Sequence, residues 1–309
     1  MTGSMLGRAL AFAAAVAICV ASARPANAQA WVPARGTGVT TLDYQMTKVN
    51  YHLFSQDMSA YGGTGNGVDL GKIDGQSIQL GLDYGIARNL GFSASIAYVG
   101  ATYQGDQPED IMDDATFNGT LQDASFGVRY MVPWKGFAIS PNLGFGFPTH
   151  DYATHGHTAV GKGNSSFNIG IAAGRTLMPW ASNVWLQGGY THEFVEDVEQ
   201  WGLDVNEFSA SAGWFPRARL GVTGYFTYHD TNDGVDWYWS DFAAPGVEEN
   251  HDAAAKALYR RVGGAVSYQL NATTGLFVDI GGIVSGSNTH DGVSYNVGTS
   301  WSFLGPAIH

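Results

Sequence analysis

The feature that most constrains this chain is an alternation of period two that recurs along most of its length. In FSASIAYVG, Phe92, Ala94, Ile96 and Tyr98 share one face, and Ser93, Ser95 and Ala97 the other. QDASFGVRYMV sets Ala124, Phe126, Val128 and Tyr130 against Asp123, Ser125, Gly127 and Arg129. SIQLGLDY opposes Ile78, Leu80, Leu82 and Tyr84 to Gln79, Gly81 and Asp83. Successive side chains of an extended strand point to opposite faces, so each run predicts a strand with one apolar and one polar side.

Twelve such strands are expected, over 38–51, 74–84, 90–103, 120–132, 137–147, 165–176, 183–195, 204–215, 219–229, 259–270, 275–286 and 292–303. Five short connections (GIARN, PWKG, PWASN, PRAR and NATT) alternate with connections that are mostly long and polar. Glu196–Gly202 and Asn288–Gly292 are shorter exceptions on the long-loop side. An even number of strands with short turns at one end and long loops at the other describes an all-β, transmembrane, antiparallel up-and-down β-barrel. Lipid offers no hydrogen-bond partners, so a sheet can cross it only by closing on itself and leaving no edge. The competing soluble β-sandwich would use strands nearer 5–6 residues. It would also leave a continuous apolar belt exposed to water. Twelve strands about 4.8 Å apart and tilted near 40° predict a backbone diameter of about 24 Å.

The first residues fit export. Arg8 precedes the short apolar run Ala9–Ala23, and Ala26-Asn27-Ala28 is a small-x-small cleavage site. Residues 1–28 therefore read as a signal peptide, 29–303 as the barrel and 304–309 as a C-terminal tail, with both termini in the periplasm and the barrel in the outer membrane of a Gram-negative-type bacterium. Cys19, the single cysteine, lies in the signal segment, and Ile18 before it argues against lipidation. Cleavage would leave a chain without disulfide or thiolate chemistry. It would also remove Arg8 and Arg24 and no acid, moving the net charge from −12 to −14 and excluding a basic nucleic-acid surface.

Trp134, Trp180, Trp185, Trp214 and Trp301 cluster at strand ends, where aromatic girdles meet lipid headgroups. The last strand, NVGTSWSF, is similar to the C-terminal pattern by which the barrel-assembly machinery accepts its precursors, although LGPAIH follows it and places Phe303 six residues from the end. Five stretches carry a wider resemblance: QAWVPARGTGVTTLDYQ, LDYGIARNLGFSASIAYVGATYQG, LQDASFGVRYMV, GFGFPTHDY and GYTHEFVE. Together they resemble the bacterial barrel family named for a MetA pathway of phenol degradation. The resemblance runs from Gln29 to about Tyr228 and rests on strand-and-turn patterns without a catalytic signature. It implies a barrel that moves small compounds, aromatic or apolar ones among them.

Strand parity points Asp43, Gln45, Asp83, Asp123, Arg129, Gln187, Glu193, Glu207, Tyr225, Arg261, Gln269 and Asp279 into the lumen. Acids outnumber bases, so an open pore should favour cations or neutral solutes. Buried charges need partners, so Arg129 and Arg261 are expected to pair with carboxylates across the lumen, a network that could equally plug it. Trp237, Tyr238 and Trp239 form an aromatic cluster in the long 230–256 connection, either a docking point for an apolar solute or a packing core for the loop.

THDYATHGH brings His150, Asp151, His155 and His157 together as a weak zinc or copper candidate, on a loop and with no known metal-site spacing. GGTGNG lacks the spacing of a nucleotide-binding loop, and DQPEDIMDD lacks that of an EF-hand. His192 faces outward by parity, but no serine two residues away shares its face, so the pattern does not make a lipid-facing hydrolase. The expectation is a monomeric barrel, not an enzyme, with no cofactor, whose partners are outer-membrane lipid, the assembly machinery and a small solute. The alternatives are a non-conducting structural or adhesive barrel and, behind it, a lipid-modifying enzyme.

Overall fold

The computed structural model describes residues 30–105, 113–154, 156–161, 163–197, 201–238 and 254–305. They form one closed antiparallel sheet of twelve spanning strands in up-and-down order. We label them β1 (Thr37–Leu53), β2 (Lys72–Ala87), β3 (Leu90–Gln104), β4, β5 (Phe137–Phe147), β6 (Ser166–Leu177), β7 (Ala181–Val195), β8 (Val205–Arg217), β9 (Leu220–Thr231), β10 (Leu258–Gln269), β11 (Thr274–Ser287) and β12 (Thr289–Leu304). The fourth strand, expected as one run over 120–132, comes in three pieces: Asn118–Leu121, Ala124–Tyr130 and Val132–Trp134. Its upper break falls at Gln122, whose N–H still donates to Ala97 O (2.8 Å) while its side-chain amide turns inward to Val160 O (2.6 Å).

The seam runs from Thr37 opposite Leu304 to Leu53 opposite Thr289. It is the longest pairing in the sheet and removes both edges, which is what a bilayer requires of strands. One irregularity interrupts it, between Val49 and Tyr51. The extra residue, Asn50, lies exposed beside exposed Tyr51, and His52 then turns inward. A bulge of this kind switches the face of everything beyond it.

The outer wall is apolar. Leu42, Leu80, Val128, Leu143, Ile171, Phe208, Val266, Ile280 and Val297 all lie exposed on it, a continuous belt that water would not tolerate. Phenyl rings tile the long-loop side of β4–β7, with Phe126–Phe145, Phe145–Phe167 and Phe167–Phe194 centroids 5.2, 5.0 and 6.1 Å apart. At the short-turn end Trp134, Trp180, Trp214 and Trp301 face outward. Trp185 does not: it is 5 % exposed and packs inside the barrel, edge-on to Trp31 at 6.0 Å. The correction has a simple cause, because Trp185 shares the inward parity of Gln187, and Gly213 across the strand pair leaves room for its indole.

This wall yields a test. Ile280 sits halfway along β11 and is exposed. An Ile280→Arg substitution is expected to lower stability by about 2–4 kcal/mol in lipid, read by denaturant titration of barrel refolding into vesicles. A neutral effect would mean that this face does not contact hydrocarbon.

Candidate functional site: the lumen and its two ends

The inner face of the sheet carries small and polar residues, with space between them. A cavity of about 280 Å³ follows the inner wall of β2–β7, lined by Asp83, Arg129, Asn142, Asn168, Glu193 and the serines at 93, 95, 125 and 166. A second, of about 500 Å³, lies toward the long-loop end against β1–β3, β9, β10 and β12. Its lining is more apolar: Val49, Ile73, Val99, Ala101, Val160, Trp237 and Tyr259, with Gln45, Thr47, His157, His229 and His290 interspersed.

The short-turn end is crossed from inside by the residues ahead of β1. Ala30 is fully buried, packed with Ala138 and Ala172 against Trp31. Its N–H donates to Gln187 Oε1 (2.9 Å), and its carbonyl accepts from Ser140 Oγ (2.7 Å). The Trp31 carbonyl accepts from Arg129 Nε (3.1 Å) and Nη2 (3.0 Å). Gly174 and Gly91 face this strap, and a Cβ on Gly174 would collide with the Trp31 ring 2.5 Å away. Strand periodicity could not reveal the strap, because residues 30–35 have none. The one available signal was the apolar trio Trp31-Val32-Pro33 before the first strand.

Arg129 joins the strap to the wall. Its Nη2 also donates to Asp83 Oδ2 and Oδ1 (2.7 and 2.9 Å), and both side chains are nearly dry. The other basic residue of the lumen is arranged differently. Arg261 lies over the ring of Tyr225 (6.0 Å), within electrostatic reach of Glu207, which also faces Glu193. Tyr225 donates to Asp279 Oδ1 (3.2 Å), in space that Gly263 and Gly281 leave open. Asp43 is buried beside Gly298, Gln45 donates to Thr47 Oγ1 (2.9 Å), and Gln269 is occupied in the β10–β11 turn with Asn271 O (2.8 Å). Asp123 accepts the hydroxyl of Tyr152 from the β5–β6 connection. Burial, and then that carboxylate, hold the Tyr152 phenol above its ordinary range.

At the long-loop end, described residues of the connections pack on one another. Trp237 is 1 % exposed and forms a small core with Phe54, Met58, Val68 and Ala255. Ser55 Oγ donates to its carbonyl (3.0 Å), and its N–H donates to Asn288 Oδ1 (2.9 Å). Of the two roles open to this aromatic cluster, Trp237 takes the packing one, while Tyr238 is exposed and Trp239 lies outside the described residues.

The histidine-rich stretch splits. His150 stays exposed, bonded to Thr120 and Thr149 hydroxyls at 2.9 Å each, and Asp151 is exposed. His157 is buried, with Nδ1 3.0 Å from Asp113 Oδ2 and its ring stacked on Tyr103 (4.2 Å). His155 lies outside the described residues. Among the described residues no group of three His, Cys, Asp or Glu side chains is arranged to hold a metal ion. The fold instead brings His157 against His52 of β1, which packs in turn on His290, its register partner in β12. Outward-facing His192 bonds Asn206 Oδ1 (3.0 Å), lies 3.9 Å from Asp204 and packs edge-on against Phe194.

Comparison with solved structures identifies the architecture. The crystal structure of the COG4313 outer membrane channel from Pseudomonas putida F1 aligns over 91 % of this chain and 100 % of that one, with a TM-score of 0.67 and 10 % identity. The likeness is to outer-membrane barrels. The translocator domain of the autotransporter NalP from Neisseria meningitidis covers 97 % of this chain and 95 % of its own at a TM-score of 0.50 and 12 % identity. At such identities the shared property is the fold. No protein-family model and no curated protein matches the sequence.

Proposed function

We propose that the protein is an outer-membrane channel for the passive passage of small solutes, neutral or cationic, with aromatic or apolar compounds among them. The observation that carries this reading is a barrel whose lipid-facing wall encloses a lumen with about 280 Å³ of polar and about 500 Å³ of largely apolar space. Packed side chains would have eliminated such space in a barrel built only as a rigid post. The short turns and the strap face the periplasm, and the long loops face outside. The likeness to a COG4313 channel fits the resemblance that the strand motifs carry. Trp237 and the apolar lining beneath it support passage of aromatic solutes, since such surface replaces the water an aromatic ring sheds.

Liposome swelling with phenol-sized neutral aromatics, against sugars of equal size, tests the substrate class. Faster swelling with the aromatics is expected, and equal or slower swelling overturns that preference. In planar bilayers under a salt gradient, the reversal potential should show cation preference, because Asp43, Asp83, Glu193, Glu207 and Asp279 outnumber Arg129 and Arg261. Anion preference would contradict that assignment of inward carboxylates. The strap at the short-turn end favours one rival, a barrel that does not conduct, and a complete absence of channel events would select it.

A further inference from the structure

We propose that the short-turn rim of the outer wall, from β4 to β7, is a docking site for net-anionic phospholipid headgroups of the periplasmic leaflet, centred on Arg175 and Lys135. The proposal rests on the barrel's place in an outer membrane and is independent of the channel reading.

Arg175 lies near the end of β6, where parity gives it the same outward side as exposed Ile169 and Ile171. Its guanidinium stands 5.1 Å from the ring centre of Phe137, its register partner in β5, and 5.8 Å from that of Trp180 in the β6–β7 turn. Among the described residues no Asp or Glu forms an ion pair with it. Contacts to ring faces use the charge of a guanidinium and leave its N–H donors unspent. The pattern continues sideways around the rim. Phe137 pairs with Trp134 of β4, their ring centroids 6.5 Å apart, and Lys135 Nζ lies 5.0 Å from the centre of the Trp134 ring. Lys135, Trp134, Phe137, Arg175 and Trp180 thus form one series of cations and aromatic rings.

Depth fixes what this series meets. A cation on a lipid-facing wall is costly at the bilayer midplane and tolerated near the headgroups. Indoles mark the headgroup level, and Trp134 and Trp180 are 53 % and 80 % exposed. A guanidinium at that level meets lipid phosphate, whose oxygens match its fork of donors.

Charge complementarity selects the headgroup. Arg88, Arg217 and Arg219 are exposed at other short turns, and none of the five short connections contains an acid. The opposite end carries exposed acids instead, among them Asp57, Asp69, Asp114 and Asp151. A zwitterionic headgroup would bring its ammonium to a rim without a carboxylate to receive it. Phosphatidylglycerol brings only the phosphate charge.

Native mass spectrometry of the barrel released from detergent micelles tests this, with phosphatidylglycerol and phosphatidylethanolamine of identical acyl chains as the probes. Phosphatidylglycerol is expected to bind about tenfold more tightly. Equal affinities overturn the proposal and turn the basic rim toward a periplasmic macromolecule. Arg175→Gln should weaken phosphatidylglycerol binding about fivefold, and Arg175→Gln with Lys135→Asn about twenty-five-fold. Lys135 has φ 47°, a left-handed conformation that asparagine tolerates, so Lys135→Asn alone, at about fivefold, serves if the Arg175 variants do not close. Heat-shifted gel migration verifies closure, and unchanged affinity in closed variants overturns the site. Arg260, exposed at the long-loop end of β10 and 5.5 Å from the ring centre of Tyr228, is the matched control. Arg260→Gln should leave binding unchanged, and a loss equal to that of Arg175→Gln would make the effect one of overall charge and overturn the rim. Conduction is not read, so failure here leaves the channel reading standing.

Discussion

Removing residues 30–35 should raise single-channel conductance several-fold, by roughly three- to ten-fold if the strap is the narrowest point of the route. The strap lies across the lumen just inside the short-turn end, its backbone tied to β4, β5 and β7 through Arg129, Ser140 and Gln187. Conduction is limited by the tightest cross-section, and the larger cavity lies at the other end of the barrel. Deletion leaves those three side chains facing the periplasmic opening, where water replaces the lost partners, so the barrel should still fold. Planar-bilayer recording of the truncated chain beside the full one reads the effect. Equal conductances would show that ions already bypass the strap, or that the long-loop end alone sets the resistance. A Trp237→Ala substitution in the truncated chain separates these, because only the second case predicts a gain when that packing is loosened.

Arg129→Met is expected to cost about 3–5 kcal/mol of unfolding free energy, the usual consequence of leaving a buried carboxylate without its counter-ion. The side chains of Arg129 and Asp83 are only 8 % and 13 % exposed, so solvent screens the pair poorly. The guanidinium also gives two hydrogen bonds to the Trp31 carbonyl, and both disappear with it. Urea titration in detergent micelles measures the loss. Asp83→Asn on top of Arg129→Met should recover a large part of it, because the uncompensated charge is then gone. A double variant as unstable as the single one would locate the cost in the strap contacts instead. Conductance distinguishes the two as well, since a loosened strap raises it and a lost ion pair alone does not.

The barrel was legible because lipid and lumen impose opposite chemistry on alternate residues, and that contrast survives in the sequence wherever a strand is regular. Asp83, Arg129, Glu193 and Glu207 share the inward parity of their strands, and the first three line one cavity. Trp185 obeys the same parity and is buried inside, although its position near a strand end is one that girdle residues also occupy. What could not be read were arrangements without a period. Nothing local to Ala30–Arg35 says that it turns into the lumen, and the contacts that hold it come from residues 129, 140 and 187. The histidine cluster was hidden in another way. His157 was visible within a suggestive run, but its neighbours lie on the seam. His290 belongs to a strand that starts three residues earlier than alternation suggested, and His52 is on the wrong parity for the lumen until an irregularity is known.

That irregularity has an evolutionary corollary. In a barrel wall, gaining or losing one residue reassigns every later side chain of the strand between hydrocarbon and lumen at a single stroke. No set of point substitutions could do this without passing through charged or polar groups in lipid. Here the extra residue is Asn50, and it admits His52 while presenting Tyr51 to the outside. Length variation at the tips of strands is therefore a coarse adjustment for barrel interiors of this type, and comparison of related chains should look for it there before looking for exchanged residues.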